Sequence, residues 1–120
     1  MPTEAELLRA FIDSSEAVIY LKDAEGRFLM VNERAAGIPG KTVQEVIGKT
    51  DYDFYPKEDG DEFREMDLKV TESGKPITYK VTVNTPNGEL KFIDHKFPVH
   101  VEGHPNSVGG IAIDVTDVEG

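Results

Sequence analysis

The sequence predicts an α+β domain in which helices lie across one face of a β-sheet. Three observations carry this. Alternating or β-branched runs cluster toward the two ends of the chain, two before residue 32 and three after residue 76. The stretch between them reads as helix and turn, and includes the longest amphipathic segment, Glu58 to Glu72. The last run, Val108 to Val115, is apolar on both faces, as a central strand would be. Strands so separated share one sheet only if the helices lie on one side of it, which allows a cavity between the layers.

Each element has a local cause. Thr3 and Glu6 form a capping-box pair, and Leu7, Leu8, Phe11 and Ile12 then make a helical stripe before Ser14 and Ser15 end it. Ala17–Lys22 and Phe28–Val31 form a hairpin across Asp23-Ala24-Glu25-Gly26-Arg27. Asn32 caps a short helix, Glu33–Ala36, that Gly37 terminates. Thr42–Ile47 is one further helical turn, and Asp51–Tyr55 a capped turn before Pro56. In Glu58–Glu72, Phe63, Met66 and Val70 share a face, the first turn is acidic, and Gly74 and Pro76 stop the helix. Ile77, Tyr79, Val81 and Val83 alternate with polar residues, Pro86-Asn87-Gly88 turns the chain, Leu90–Val99 alternates less cleanly, and Glu102–Asn106 is a loop.

Composition excludes several functions. The 120 residues suffice for one core. A net charge of −10 opposes a nucleic-acid or anionic-lipid surface. The absence of cysteine removes disulfides, thiolate nucleophiles, thiolate metal sites and covalent haem attachment. The N-terminus carries no secretory pattern and the longest apolar run is Ala17–Leu21, so a cytoplasmic domain without membrane contact is expected.

Residues 51–67 hold eight acids against Lys57 and Arg64. Asp51, Asp53, Asp59 and Glu62 fall at positions 1, 3, 9 and 12 of an EF-hand-like count, but Tyr55 and Pro56 occupy positions where that loop needs a ligand and a glycine. The segment is read as a capped, dipole-matched helix start, and no metal site is expected. No Cys–His pair, HExxH, P-loop or GxSxG motif occurs. Asp94 and His95 are adjacent on a strand and point to opposite faces. Asp94, on the parity of Phe92 and Lys96, is expected to lie exposed, and no catalysis is expected.

Four segments in order carry a family resemblance: Lys22–Asn32 (KDAEGRFLMVN), Val46–Pro56 (VIGKTDYDFYP), Lys96–Val99 (KFPV) and Gly109–Asp117 (GGIAIDVTD), the last containing Asp114-Val115-Thr116. Together they resemble a PAS domain across nearly the whole chain. The resemblance implies a five-stranded antiparallel sheet in order 2-1-5-4-3 and a sensory or dimerisation role in signalling proteins such as histidine kinases and cyclic-dinucleotide enzymes. Residues 1–15 are then an N-terminal amphipathic helix, 16–117 the core, and 118–120 the start of a linker to a kinase or cyclase effector. The stripe Leu7, Leu8, Phe11 and Ile12 is a candidate homodimer contact, and Asp114 and Thr116 a candidate signal relay.

Without cysteine, the flavin-adduct and yellow-protein chemistries of the family are excluded. Haem is not expected, because the long helix lacks the histidine that the family uses, and His95, His100 and His104 lie elsewhere. Non-covalent flavin, read by Tyr79, Asn84 and His95, and a small metabolite are the alternatives to a packed core without cofactor. The resemblance places such a pocket among Phe63, Met66, Val70, Tyr79, Val81, Ile93, His95, Phe97, Ile111 and Ile113. The parity of His95 with Ile93 and Phe97 puts these three toward the helices. Apolar periodicity serves a filled core equally, and that is the residues' own expectation.

Overall fold

In the computed structural model, residues 1–118 are described. The elements are α1 (Glu4–Asp13), β1 (Val18–Lys22), β2 (Phe28–Val31), α2 (Glu33–Gly37), α3 (Val43–Val46), a 3₁₀ turn at Asp51–Asp53, α4 (Lys57–Ser73), β3 (Ile77–Thr85), β4 (Gly88–Val101) and β5 (His104–Asp114). The strands form one antiparallel sheet in the order β2-β1-β5-β4-β3. Thus β5 is central, as its two-sided apolarity requires. It begins at His104, so most of the expected 102–106 loop is strand and only Glu102 and Gly103 turn the chain.

The helix ends follow their local sequence. Thr3 and Glu6 close a capping box at α1, and Thr42 and Glu45 another at α3. Asn32 does more than cap α2. Its Oδ1 accepts from the N–H groups of Ala35 and Ile19, and its Nδ2 donates to the carbonyls of Ile12 and Ala17. One fully buried side chain therefore joins α1, β1 and α2. Gly74, at φ 69°, turns out of α4 while its N–H donates to Val70 O at 2.8 Å.

Two apolar clusters fill the space between helices and sheet. One contains Ile38, Phe63, Val81, Val83, Phe92 and Ala112, and the other Tyr20, Phe28, Val31, Ala36 and Val46. Ile12 is buried, whereas Leu7, Leu8 and Phe11 remain exposed on α1. The expected stripe is thus divided: Ile12 belongs to the core and the other three face outward.

Candidate functional site

The face that α4 turns to the sheet carries two buried aspartates as well as Phe63 and Val70. Asp59 accepts from the Asn84 N–H of β3 at 2.9 Å and from its side-chain amide. Two turns later Asp67 lies between two lysines, accepting from Lys22 Nζ of β1 at 2.9 Å and from Lys96 Nζ of β4 at 2.8 Å. Lys22 is 3 % exposed and Lys96 1 %. Ammonium groups are held so far from water only where several partners replace hydration.

Those partners form one network. Lys22 also donates to Asp51 at 2.6 Å, and its Nζ lies 5.1, 5.4 and 5.9 Å from the ring centres of Tyr20, Phe28 and Phe63. Lys96 donates to the Tyr20 hydroxyl at 2.8 Å and pairs with Asp94 at 3.5 Å. Tyr20 donates to Asp94 at 3.0 Å, and Tyr79 reaches the same carboxylate at 3.4 Å. Burial opposes the charge on Lys96, but Asp67 and Asp94 outweigh it and its pKa rises. Lys22 is likewise raised, Asp51 chiefly overcoming burial. Burial works against ionisation of Asp67, yet the two lysines hold its carboxyl below the usual range. Burial and Asp94 push the Tyr20 phenol well up, so it remains a donor.

This network borders a cavity of about 80 Å³ between the helices and the sheet. Its wall is otherwise apolar, with Val18, Val31, Ile38, Val46, Phe54 and Phe92 among the lining residues. Lys22, Asp51, Asp94 and Lys96 bring charge to it, and Tyr55 adds a phenol that burial pushes up. The arrangement suits a small molecule with an apolar body and a polar group.

Of the ten pocket residues expected, Phe63 and Val81 line the cavity. Val70 is buried, Met66 is half-buried and Tyr79 packs against the first cluster, but none of these three lines the cavity. The other five are corrected. On β4 the residues facing the helices are Phe92, Asp94 and Lys96, so Ile93, His95 and Phe97 lie on the opposite face. His95 is exposed there, 2.7 Å from the Thr78 hydroxyl. On β5, Ala112 faces the cavity while Ile111 and Ile113 are exposed outward. The expectation of an exposed Asp94 fails for the same reason: the inner face is charged because its charges are paired, and the outer face is apolar. Asn84 and His95, suggested for flavin, do not line the cavity.

The acidic segment disperses rather than converging. Asp51 turns to Lys22, Asp53 accepts from the Thr50 N–H, Asp59 holds Asn84, and Asp61 pairs with Lys57 and Tyr52. Among the described residues no three acidic or histidine side chains converge as metal ligands. At the end of β5, Asp114 accepts from the Thr116 N–H at 2.9 Å and hydroxyl at 2.6 Å, bonds that lower its pKa, and pairs with Arg34 of α2 at 3.2 Å. Thr116 in turn accepts from the Lys91 N–H of β4 at 2.9 Å. The two relay candidates thus tie the chain's exit to α2 and β4.

The profile of the PAS fold family matches residues 12–120. The chain belongs to that family. The PAS domain is 29% identical over 113 residues to the methanogenesis regulatory histidine kinase FilI of Methanothrix harundinacea, covering 92% of this chain and 13% of that protein. It spans about a tenth of the length of the curated relatives it matches. Among the solved structures that share the fold are two with bound ligands. The Vibrio cholerae VqmA–ligand–DNA complex superposes with a TM-score of 0.81 at 22% identity, covering 97% of this chain and 53% of that one. The PAS domain of the Cronobacter turicensis quorum-sensing receptor RpfR, in complex with BDSF, gives 0.72 at 18% identity, covering 85% and 96%.

The residues of the PAS domain that periodicity missed are Tyr20, Lys22, Asp67, Asp94 and Lys96. Two signals mark them. Phe63, Asp67 and Val70 recur at i, i+4 and i+7, so Asp67 shares the apolar face of α4. Asp94 and Lys96, two apart, flank His95 on one side of β4 together with Phe92.

Proposed function

We propose that this PAS domain is the non-catalytic sensory module of a signal-transduction protein, with a small organic ligand in the cavity as its signal. The observation that carries this is the cavity itself, apolar over most of its wall and bordered by Lys22 and Asp51. The RpfR PAS domain in complex with BDSF supports a ligand in this fold. A metabolite fits better than flavin, whose three fused rings far exceed about 80 Å³; drug-sized ligands occupy roughly 300–1,000 Å³. Asp94 is tied into the buried network, accepting from the single Tyr20 hydroxyl proton and pairing with Lys96.

Relay to a kinase or cyclase effector is supported by the FilI match and by the contacts of Asp114 and Thr116 with Arg34 and Lys91. A cytoplasmic homodimer completes the proposal. Its contact is the exposed part of the α1 stripe, where Leu7 and Leu8 accompany Phe11, 77 % exposed. Among the described residues no helix is long and apolar enough to cross a membrane. Mass spectrometry and the visible spectrum of protein purified without added cofactor test the ligand. A colourless sample with one bound organic molecule is expected, and a flavin spectrum would refute the metabolite assignment.

A further inference from the structure

We infer that the cavity selects small uncharged molecules that carry a hydrogen-bond acceptor, and that the third N–H of Lys22 donates to that acceptor. This rests on the ligand-sensor function proposed above and names the chemistry of its ligand.

The ammonium and Tyr20 donors of the polar end are almost fully committed, and the Tyr55 phenol is a neutral donor that lines the cavity beside them. Lys96 gives two protons to the Tyr20 hydroxyl and Asp67, and its remaining charge is met by the Asp94 carboxylate in an ion pair at 3.5 Å. Tyr20 donates to Asp94. Lys22 gives two protons to Asp51 and Asp67, and among the described residues no oxygen takes the third. The ammonium nitrogen lies 5.1, 5.4 and 5.9 Å from the ring centres of Tyr20, Phe28 and Phe63, all of which line the cavity. A ring face is a weak acceptor, and a carbonyl or ether oxygen brought there makes a stronger bond to an ammonium donor.

Charge opposes an anionic ligand, and the position of the Lys22 ammonium opposes a cationic one. Two lysines, Lys22 and Lys96, meet three aspartates, Asp51, Asp67 and Asp94, so the polar end has one acidic group in excess. An anionic ligand adds a second negative charge inside an apolar wall, without a free cation to meet it. A cationic ligand enters beside Lys22, whose ammonium already occupies the space between the rings and holds Asp51. An uncharged acceptor leaves every ion pair in place.

Size sets the remaining limit. A cavity near 150 Å³ accommodates benzene, so about 80 Å³ admits a molecule of a few non-hydrogen atoms, or one arm of a larger molecule.

The test uses four probes of nearly equal size: 2-butanone, 2-methyl-1-butene, propionate and sec-butylammonium. Each is titrated into the isotope-labelled domain, with amide shifts followed at Val18, Phe92 and Ala112 and the side-chain Nζ signal followed at Lys22. 2-Butanone is expected to shift all four and to bind at least about tenfold tighter than the alkene, the worth of one hydrogen bond. The two ions are expected to shift none. Equal affinity of alkene and ketone, or cavity binding by either ion, overturns this inference and leaves the sensor function standing. No shift with any probe overturns both. The double substitution Lys22→Met with Asp51→Asn removes one charge of each sign and is expected to bring the ketone-to-alkene ratio near one. The Lys22 Nζ signal of the unaltered protein gives the same answer without it.

Discussion

Asp67→Asn removes the one carboxylate shared by both buried lysines. Asparagine keeps the size and one acceptor oxygen, but presents an amide where Lys22 and Lys96 have ionic contacts at 2.9 and 2.8 Å. Each contact is worth about 6 kcal/mol in gross Coulomb energy at an effective dielectric near 20, and most of that cancels against desolvation of the carboxylate. Breaking a buried pair by removing one partner costs about 3–5 kcal/mol, and the upper half applies because two cations lose a partner at once. For a domain of this size that is a fall in Tm of roughly 10–20 °C. Urea titration followed by circular dichroism measures it, with exposed Glu65→Gln as the control, expected within about 0.5 kcal/mol of the parent.

The pH dependence has a definite sign. The folded Asp67 carboxyl is held below its ordinary value of 3.8, so its contribution is complete above that value and is lost as pH falls through the lower, folded one. Lys22 and Lys96 are raised above 10.5, so theirs is complete below that value and is lost as pH rises through the folded values. The gap between parent and variant is expected to stay constant from about pH 5 to 9 and to narrow below about pH 3.8. A loss under about 1 kcal/mol at neutral pH would show that the lysines find other partners and would refute the shared-anchor account.

Three further outcomes follow from the packing. Gly110→Ala places a methyl inside the Tyr20 ring and hydroxyl; displacing Tyr20 from Asp94 and Lys96 is expected to cost about 2–5 kcal/mol by urea titration. Asn32→Ala leaves buried groups of Ile12, Ala17 and Ile19 without their partner and uncaps α2, with an expected loss of about 2–4 kcal/mol in the same assay. Leu8→Asp is expected to convert the dimer to monomer in light scattering at micromolar concentration with unchanged circular dichroism, and a monomeric parent protein would refute the dimer.

Features with local causes were legible in the sequence. Thr3 with Glu6, Asn32, and Gly74 after α4 mark helix ends through bonds spanning a few residues. The two-sided apolarity of Val108–Val115 marked β5 as central, and the family resemblance supplied the strand order. The candidate site was less legible because its logic is long-range. A rule that puts apolar residues inside assigns Ile93, His95 and Phe97 to the helix side of β4. The chain instead buries Asp94 and Lys96, which is affordable only because Tyr20 and Asp67, from β1 and α4, arrive beside them. The same rule selected Met66 and passed over Asp67. Asp94 and Lys96 are neighbours on one strand, but Tyr20 and Asp67 lie 76 and 29 residues from Lys96, and Asp67 lies 45 from Lys22, so no local window contains the network.

The anchoring of α4 restricts how the cavity can grow. Asp59 and Asp67 fix the helix to β3 and to β1 and β4 at two points about 12 Å apart along its axis. A rod held at two points can roll about the line joining them, but it cannot slide or lift without separating buried charges. The opposite wall, Ile38, Pro39 and Val46, is apolar, and the ion pair of its helix with the sheet, Arg34 with Asp114, is solvent-exposed rather than buried. Under the ligand function proposed above, expansion around an entering molecule is expected to displace that wall, and α2, which leads directly into it, carries the Arg34 that holds Asp114. The rigidity of one helix would then give that motion a direction, toward the end of the sheet.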